Sequence, residues 1–86
     1  MTNNPPWLVT RVQPRLQRLL DVEFSDGTAG SIDLSDLIYA NDAGVFRALR
    51  DDEEFFHVFI ENGAVVWPCG VDLAPDAMWA RITGNE

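Results

Sequence analysis

The stretch Trp67–Asp76, WPCGVDLAPD, gathers the side chains of this chain best suited to chemistry: its only cysteine, Cys69, and two carboxylates, Asp72 and Asp76. A nucleophilic thiol needs a lowered pKa and a neighbouring base. The only histidine, His57, is the natural candidate. Nothing in the spacing obliges the two to meet, and no Cys/His family pattern surrounds either residue. The expected reading is a histidine on a strand face and an incidental cysteine in a turn, with no catalytic pair. One Cys and one His also cannot close a zinc site without carboxylates. The aspartates at 26, 33, 36 and 42 lack the alternating spacing of a calcium loop. The glycines never cluster, and the chain has no lysine for a phosphate loop. No catalytic, cofactor-binding or metal residue is assigned, and no cofactor is expected.

Each residue of the stretch has a mechanical reason instead. Trp67 ends a buried strand, and Pro68 stops the ladder because it has no N–H. Gly70 permits a turn, and Asp72 is expected to bind the loop's own amides. Leu73 returns to the core. Pro75 suits the first position of a helix, and Asp76 suits that helix's first turn. The loop reads as a joint.

A second conspicuous group is the acidic run Asp51-Asp52-Glu53-Glu54. Asp51 with Glu54 three residues on has the spacing of a capping box, and acids in a first turn complement the helix dipole. The structural role is preferred to a ligand site, although Asp51, Asp52 and Glu53 remain candidate partner contacts.

These residues must be positioned by short elements. WLVTRV, residues 7–12, reads as a strand that Pro14 ends or follows as a turn. Residues 16–24 alternate, with Leu20, Val22 and Phe24 on one face and Asp21 and Glu23 on the other. Phe24, Asp26 and Gly27 mark a turn, since Asp-Gly readily adopts the positive φ angles of a hairpin. Residues 28–33 return as a third strand, with Gly30 a candidate bulge. Leu34, Leu37 and Ile38 have helical spacing, capped by Asp33 or Ser35. VFRAL, residues 45–49, is a single turn, and FFHVFI, residues 55–60, reads as a strand. Asn62-Gly63 turns it into the strand at residues 64–67. Met78, Trp79 and Ile82 line the closing helix. The expected fold is α+β: a three-stranded antiparallel meander plus a β-hairpin, short helices between them, and a short C-terminal helix. Residues 7–83 form one domain, with tails at 1–6 and 84–86.

The totals agree with a single small core. A chain of 86 residues has room for one domain, and its 47% hydrophobic share argues against disorder. No apolar run approaches the ~18 residues of a membrane span, and the N-terminus lacks a signal-peptide layout. A cytoplasmic protein away from membranes is expected. Fourteen acids oppose six bases, all arginine. Arg11, Arg15 and Arg18 lie in the acid-free first 20 residues, leaving the rest strongly negative. With Trp7, those three are the only candidates for touching nucleic acid, and the remaining charge opposes it; no direct nucleic acid binding is expected.

Three segments together resemble the bacterial domain-of-unknown-function family 2442: LLDVEFSDGTAGSIDLSDLI (19–38), VFRALRDDEEFFHVFI (45–60) and VVWPCGVDLAPDAM (65–78). The resemblance covers roughly Leu8 to Ala80. It implies a small antiparallel-sheet domain with flanking helices and no established enzymatic activity. It also implies an antitoxin-like or accessory binding role, because many such proteins lie beside a second small family in toxin–antitoxin-like gene pairs. Some relatives carry an added helix-turn-helix domain; none is expected within these 86 residues. The position of Cys69 is typically asparagine in such relatives.

The expected function is a non-enzymatic interaction module for a small basic protein, encoded by an adjacent gene, with Trp7 and Phe59 as aromatic anchors. The alternative is a regulatory or homo-oligomerising sensor or adaptor domain, related to domains that carry a separate DNA-binding module and using open sheet edges to self-pair.

Overall fold

The alternation in residues 19–24 is realised directly: Leu20, Val22 and Phe24 are buried while Asp21 and Glu23 are partly exposed. A computed structural model describes residues 5–84. In it β1 (Val9–Arg15), β2 (Leu19–Phe24) and β3 (Ala29–Asp33) form an antiparallel sheet in that order. Val12, Val22 and Gly30 share one rung and Pro14, Leu20 and Ile32 another. Both rungs face the core. The opposite face carries Arg11, Gln13, Asp21, Glu23 and Ser31.

Three details of this sheet differ from expectation. Pro14 lies within β1, paired with Leu20, instead of ending the strand. It is tolerated because β1 is an edge of the sheet, where a missing N–H breaks no ladder bond. Leu16–Arg18 is a tight 3₁₀ turn and not the start of β2. The bulge falls at Thr10, between the pairs Val9–Phe24 and Arg11–Glu23, and the Thr10 hydroxyl donates to the Glu23 carbonyl at 3.1 Å. Gly30 pairs regularly; a Cβ there would stand 2.8 Å from Ile82 Cγ2, so it makes room for the closing helix.

The expected short helices follow. In α1 (Ser35–Ile38) the buried positions are Leu34, just before it, and Ile38, whereas Leu37 is exposed. Asp33 Oδ1 accepts from both the amide and the hydroxyl of Ser35. A 3₁₀ segment, Gly44–Arg50, leads into α2 (Asp52–Phe56). FFHVFI is therefore divided. Phe55 and Phe56 close a helix, His57 caps its C-terminus, and β4 begins only at Phe59. Asp51 holds the helix in place by accepting from the Glu53 amide, and Phe55 is drawn inward to stack on Trp67, with ring centroids 6.0 Å apart. Tertiary packing has overridden a strand-like composition.

Arg18 joins the meander to these helices. It is only 6% exposed, and its guanidinium donates to the carbonyls of Leu49 (2.9 Å) and Arg50 (2.7 Å) and to Asp52 Oδ1 (2.6 Å). Those carbonyls end the 3₁₀ segment, where no intrahelical donor remains. Arg50 in turn donates to the carbonyls of Ile38 and Ala40. Both guanidinium groups lie over the Tyr39 ring, at 5.9 and 5.7 Å. Gln17 and Arg18 both adopt left-handed φ angles, 63° and 61°, to aim the side chain inward. Such conformations cost non-glycine residues on the order of 1 kcal/mol each. The bonds that Arg18 makes hold them in place.

The second sheet contains β4 (Phe59–Glu61), β5 (Ala64–Val66) and β6 (Asp72–Leu73), antiparallel in that order. The last strand, two residues long, enlarges the expected hairpin. Asn62 and Gly63 have φ angles of 54° and 80°, a two-residue hairpin turn of the favoured hand. Val9 N–H donates to the Gly63 carbonyl and so ties the two sheets together. The closing helix, α3 (Pro75–Thr83), starts on Pro75 and buries Met78, while Trp79 and Ile82 pack at its margin. One core cluster includes residues of both sheets and of all three helices, among them Leu20, Ile38, Phe55, Trp67 and Met78. Of the expected tails, residues 1–4 and 85–86 lie outside the described residues. Pro5 is held by its carbonyl, which accepts from Ser25 Oγ at 2.8 Å.

Candidate functional site

Two turns of this fold have the same construction. In the first, Gly27 N–H donates to the Phe24 carbonyl and Phe24 N–H to that of Thr28. In the second, Gly70 N–H donates to the Trp67 carbonyl and Trp67 N–H to that of Val71. Each encloses three residues, Ser25-Asp26-Gly27 or Pro68-Cys69-Gly70, and ends on a glycine at positive φ, 88° or 98°. This is the three-residue hairpin loop, in which only the last position needs the left-handed region. Pro68 fits the first loop position because its ring presets φ. The WPCG stretch is thus the turn between β5 and β6.

The turn is fastened from outside. Trp67 is fully buried, and its indole N–H donates to the Phe55 carbonyl at 2.9 Å, satisfying one of the last carbonyls of α2. The Cys69 amide donates to Glu54 Oε2 at 2.7 Å. The capping box is therefore only half formed. Asp51 caps α2, but Glu54 reaches across to the turn instead of back to Asp51. Asp72, expected to bind the loop's amides, sits in β6 with an exposed side chain, and Glu54 takes that role. Leu73 packs at the core margin. Asp76 accepts from the Ala77 amide in the first turn of α3.

The Cys69 thiol is exposed. His57 belongs to the C-terminus of α2, where Nδ1–H donates to the Glu53 carbonyl at 2.5 Å, so the imidazole engages its own backbone and not the thiol. Among the described residues, no three His, Cys, Asp or Glu side chains gather as a metal ligand set, and no helix is long and apolar enough to cross a membrane.

Beside Cys69 lies a groove of about 240 Å³, bounded by Val45 and Phe46 of the 3₁₀ segment and by Cys69, Gly70, Val71 and Asp72. Val45 is 70% exposed. VFRAL reads locally as a turn of helix, which does not by itself announce this groove. Its signal was a β-branched residue placed where that turn meets solvent. A broader, open hollow of about 480 Å³ lies on the outer face of the meander, against Arg11, Gln13, Asp21, Glu23 and Ser31.

The candidate partner contacts are dispersed. Trp7 is 36% exposed and meets Trp79 edge-on, with centroids 6.4 Å apart. Phe59 is 41% exposed on β4. Asp51 and Asp52 are partly engaged, in the helix cap and with Arg18, while Glu53 is exposed in α2. Of the three arginines considered for nucleic acid, Arg18 is buried and Arg15 pairs with Asp21 at 3.1 Å.

At the first turn, Asp26 accepts from the Thr28 amide and from the Trp79 indole N–H, at 2.8 and 3.0 Å. The Thr28 amide bond, followed by side-chain bonds from Thr28 and Trp79, holds its carboxyl below the ordinary 3.8. The Asp33 carboxyl is lowered likewise, first by the Ser35 hydroxyl and then by the Ser35 amide, with a contribution from Arg81.

Comparison with known proteins agrees with this architecture at the level of the family. The model of the family described as protein of unknown function DUF2442 matches residues 9–84, from the start of β1 to the glycine that ends α3. Searches of curated proteins and of solved structures returned no match. A match over nearly the whole described chain, including both glycine-ended turns, means that the protein belongs to the DUF2442 family.

Proposed function

We propose that the chain is a non-enzymatic protein-interaction module that binds a small basic protein through its acidic surface. The observation that carries this reading is how few of the carboxylates are neutralised. Formal net charge is −8, and among the described residues only Asp21 and Asp52 lie within ion-pairing distance of an arginine. Asp36, Asp42, Glu53, Glu61 and Asp72 are exposed on α1, α2, the second sheet and the connecting segment. Such a surface steers cationic proteins toward it and raises their association rate. The exposed Trp7 and Phe59 rings supply apolar anchors of the kind that dominate interface energies.

The gene context implied by the resemblance makes the product of the adjacent gene the first partner to test, in an antitoxin-like pairing in the cytoplasm. The two proteins are co-expressed and run on size exclusion at low and high salt, alongside growth assays. Co-elution that weakens as salt rises, together with growth rescue, is expected. Independent elution at both salts with no rescue removes the proposal.

A further inference from the structure

We propose that the groove between the 3₁₀ segment and the Pro68-Cys69-Gly70 turn docks one apolar side chain of a basic partner segment: an aliphatic or aromatic residue flanked by lysine or arginine. This deepens the preceding reading and rests on it. Size selects the kind of occupant. At about 240 Å³ the groove is smaller than the roughly 300–1,000 Å³ of small-molecule and cofactor sites. It suits a protruding side chain.

The lining selects an apolar one. Val71 is buried beneath the groove, and Phe46 packs against the core from the other side. Val45, largely exposed, is left with its methyl groups in water. Nothing stands within 4 Å of where a Gly70 Cβ would be, so the backbone at the turn is open to approach. An isolated exposed valine needs no explanation, but one that walls a groove offers apolar area to whatever enters.

Charge selects the flanks. Asp72 lies on the rim, exposed and without a side-chain partner among the described residues. The Glu54 carboxylate stands against the same turn, and among the described residues no cation lines the groove. Arg47, two residues beyond Val45, is turned about 120° away from it by the three-residue period of a 3₁₀ helix. A lysine or arginine beside the inserted side chain meets negative potential, whereas an acidic segment is repelled. The turn is also held before binding, by Glu54 at its amide and by the buried Trp67 at its base, so little ordering remains to oppose docking.

Cys69 makes the proposal measurable, because it is the only cysteine, is exposed and lines the groove. The probe is a capped hexapeptide of sequence lysine-lysine-leucine-phenylalanine-lysine-lysine, with a control in which the central pair is glycine. Alkylation of the intact chain by N-ethylmaleimide is followed with time, and amide shifts are recorded in parallel. At a peptide concentration ten times its Kd, alkylation should slow about tenfold, since only the free fraction reacts. The amides of Val45, Phe46 and Gly70–Asp72 should shift. Val45→Arg, at an exposed position that the core does not use, should abolish protection, and Asp72→Asn should weaken it and flatten its salt dependence.

Equal protection by the glycine control, undiminished protection in Val45→Arg, no protection by either peptide, or shifts confined to Asp51–Glu54 would overturn the groove. The broader reading is judged separately. An adjacent-gene product that binds the wild type and Val45→Arg alike removes the groove and leaves the module. A product that binds neither, while the peptide still protects Cys69, removes that partnership and leaves the groove.

Discussion

Glu54 and Cys69, fifteen residues apart in sequence, are joined by a 2.7 Å hydrogen bond from the Cys69 amide to the Glu54 carboxylate. A helix of one turn and a tight hairpin loop are thereby fixed to each other. Glu54→Ala should remove a bond worth about 0.5–1.5 kcal/mol and speed hydrogen exchange at the Cys69 amide. Glu54→Gln retains an acceptor oxygen and should preserve most of the protection. Amide exchange measured by NMR distinguishes the two variants.

Arg18 and Asp52 form an ion pair of unequal partners. The Arg18 side chain is 7% exposed, and that of Asp52 is 81% exposed. Arg18→Ala strands the Leu49 and Arg50 carbonyls and removes the reason for two left-handed residues. A loss of roughly 3 kcal/mol is expected, from charge-assisted bonds at about 1.5–3 kcal/mol each, partly replaced by water. Asp52→Ala removes only the solvated end of the pair and should cost less than about 1 kcal/mol. Urea titrations followed by tryptophan fluorescence give both values; equal losses would show that the carboxylate, not the carbonyls, is what Arg18 serves.

Gly30 and Ile82 test how α3 is seated. Gly30→Val places methyl groups where Ile82 Cγ2 already stands and should cost about 1–3 kcal/mol, as overpacking does. Ile82→Ala opens that space. The double variant should be more stable than the sum of the single losses predicts, and a double-mutant cycle measures the difference.

Acid should loosen the Asp26–Trp79 contact. The folded carboxyl titrates below 3.8, so the stability it contributes is complete above that value and falls as pH drops through the folded pKa. Asp33 acts in the same direction. Between neutrality and pH 5 neither group should alter stability, whereas below about 3.8 thermal midpoints should decline. Asp26→Asn should flatten part of that decline, which calorimetry across pH can record.

How much of this was legible differed by the kind of signal. The meander was readable because Leu20, Val22 and Phe24 alternate with charged residues, and because Asp26-Gly27 and Asn62-Gly63 are hairpin dipeptides. The mechanical reading of Trp67–Asp76 followed from Pro68, Gly70 and Pro75, whose backbone preferences are local. FFHVFI reads as a strand because aromatic and β-branched residues favour strands on average. What decided the matter was Phe55 stacking on Trp67, a contact twelve residues away that propensity does not contain. The roles of Arg18 and Glu54 are hidden for the same reason. An arginine in an acid-free segment looks like surface charge, and a glutamate three residues after Asp51 looks like a capping-box partner. Each instead serves a distant backbone group, and only the assembled fold supplies those acceptors and donors.

Pro14 has a consequence for how molecules of this protein meet one another. Paired with Leu20 on an edge strand, it has no backbone N–H, so at that rung β1 offers a neighbouring chain no donor. Extension of the meander into a stack of like chains is interrupted at that rung, a built-in guard against fibril growth along this margin.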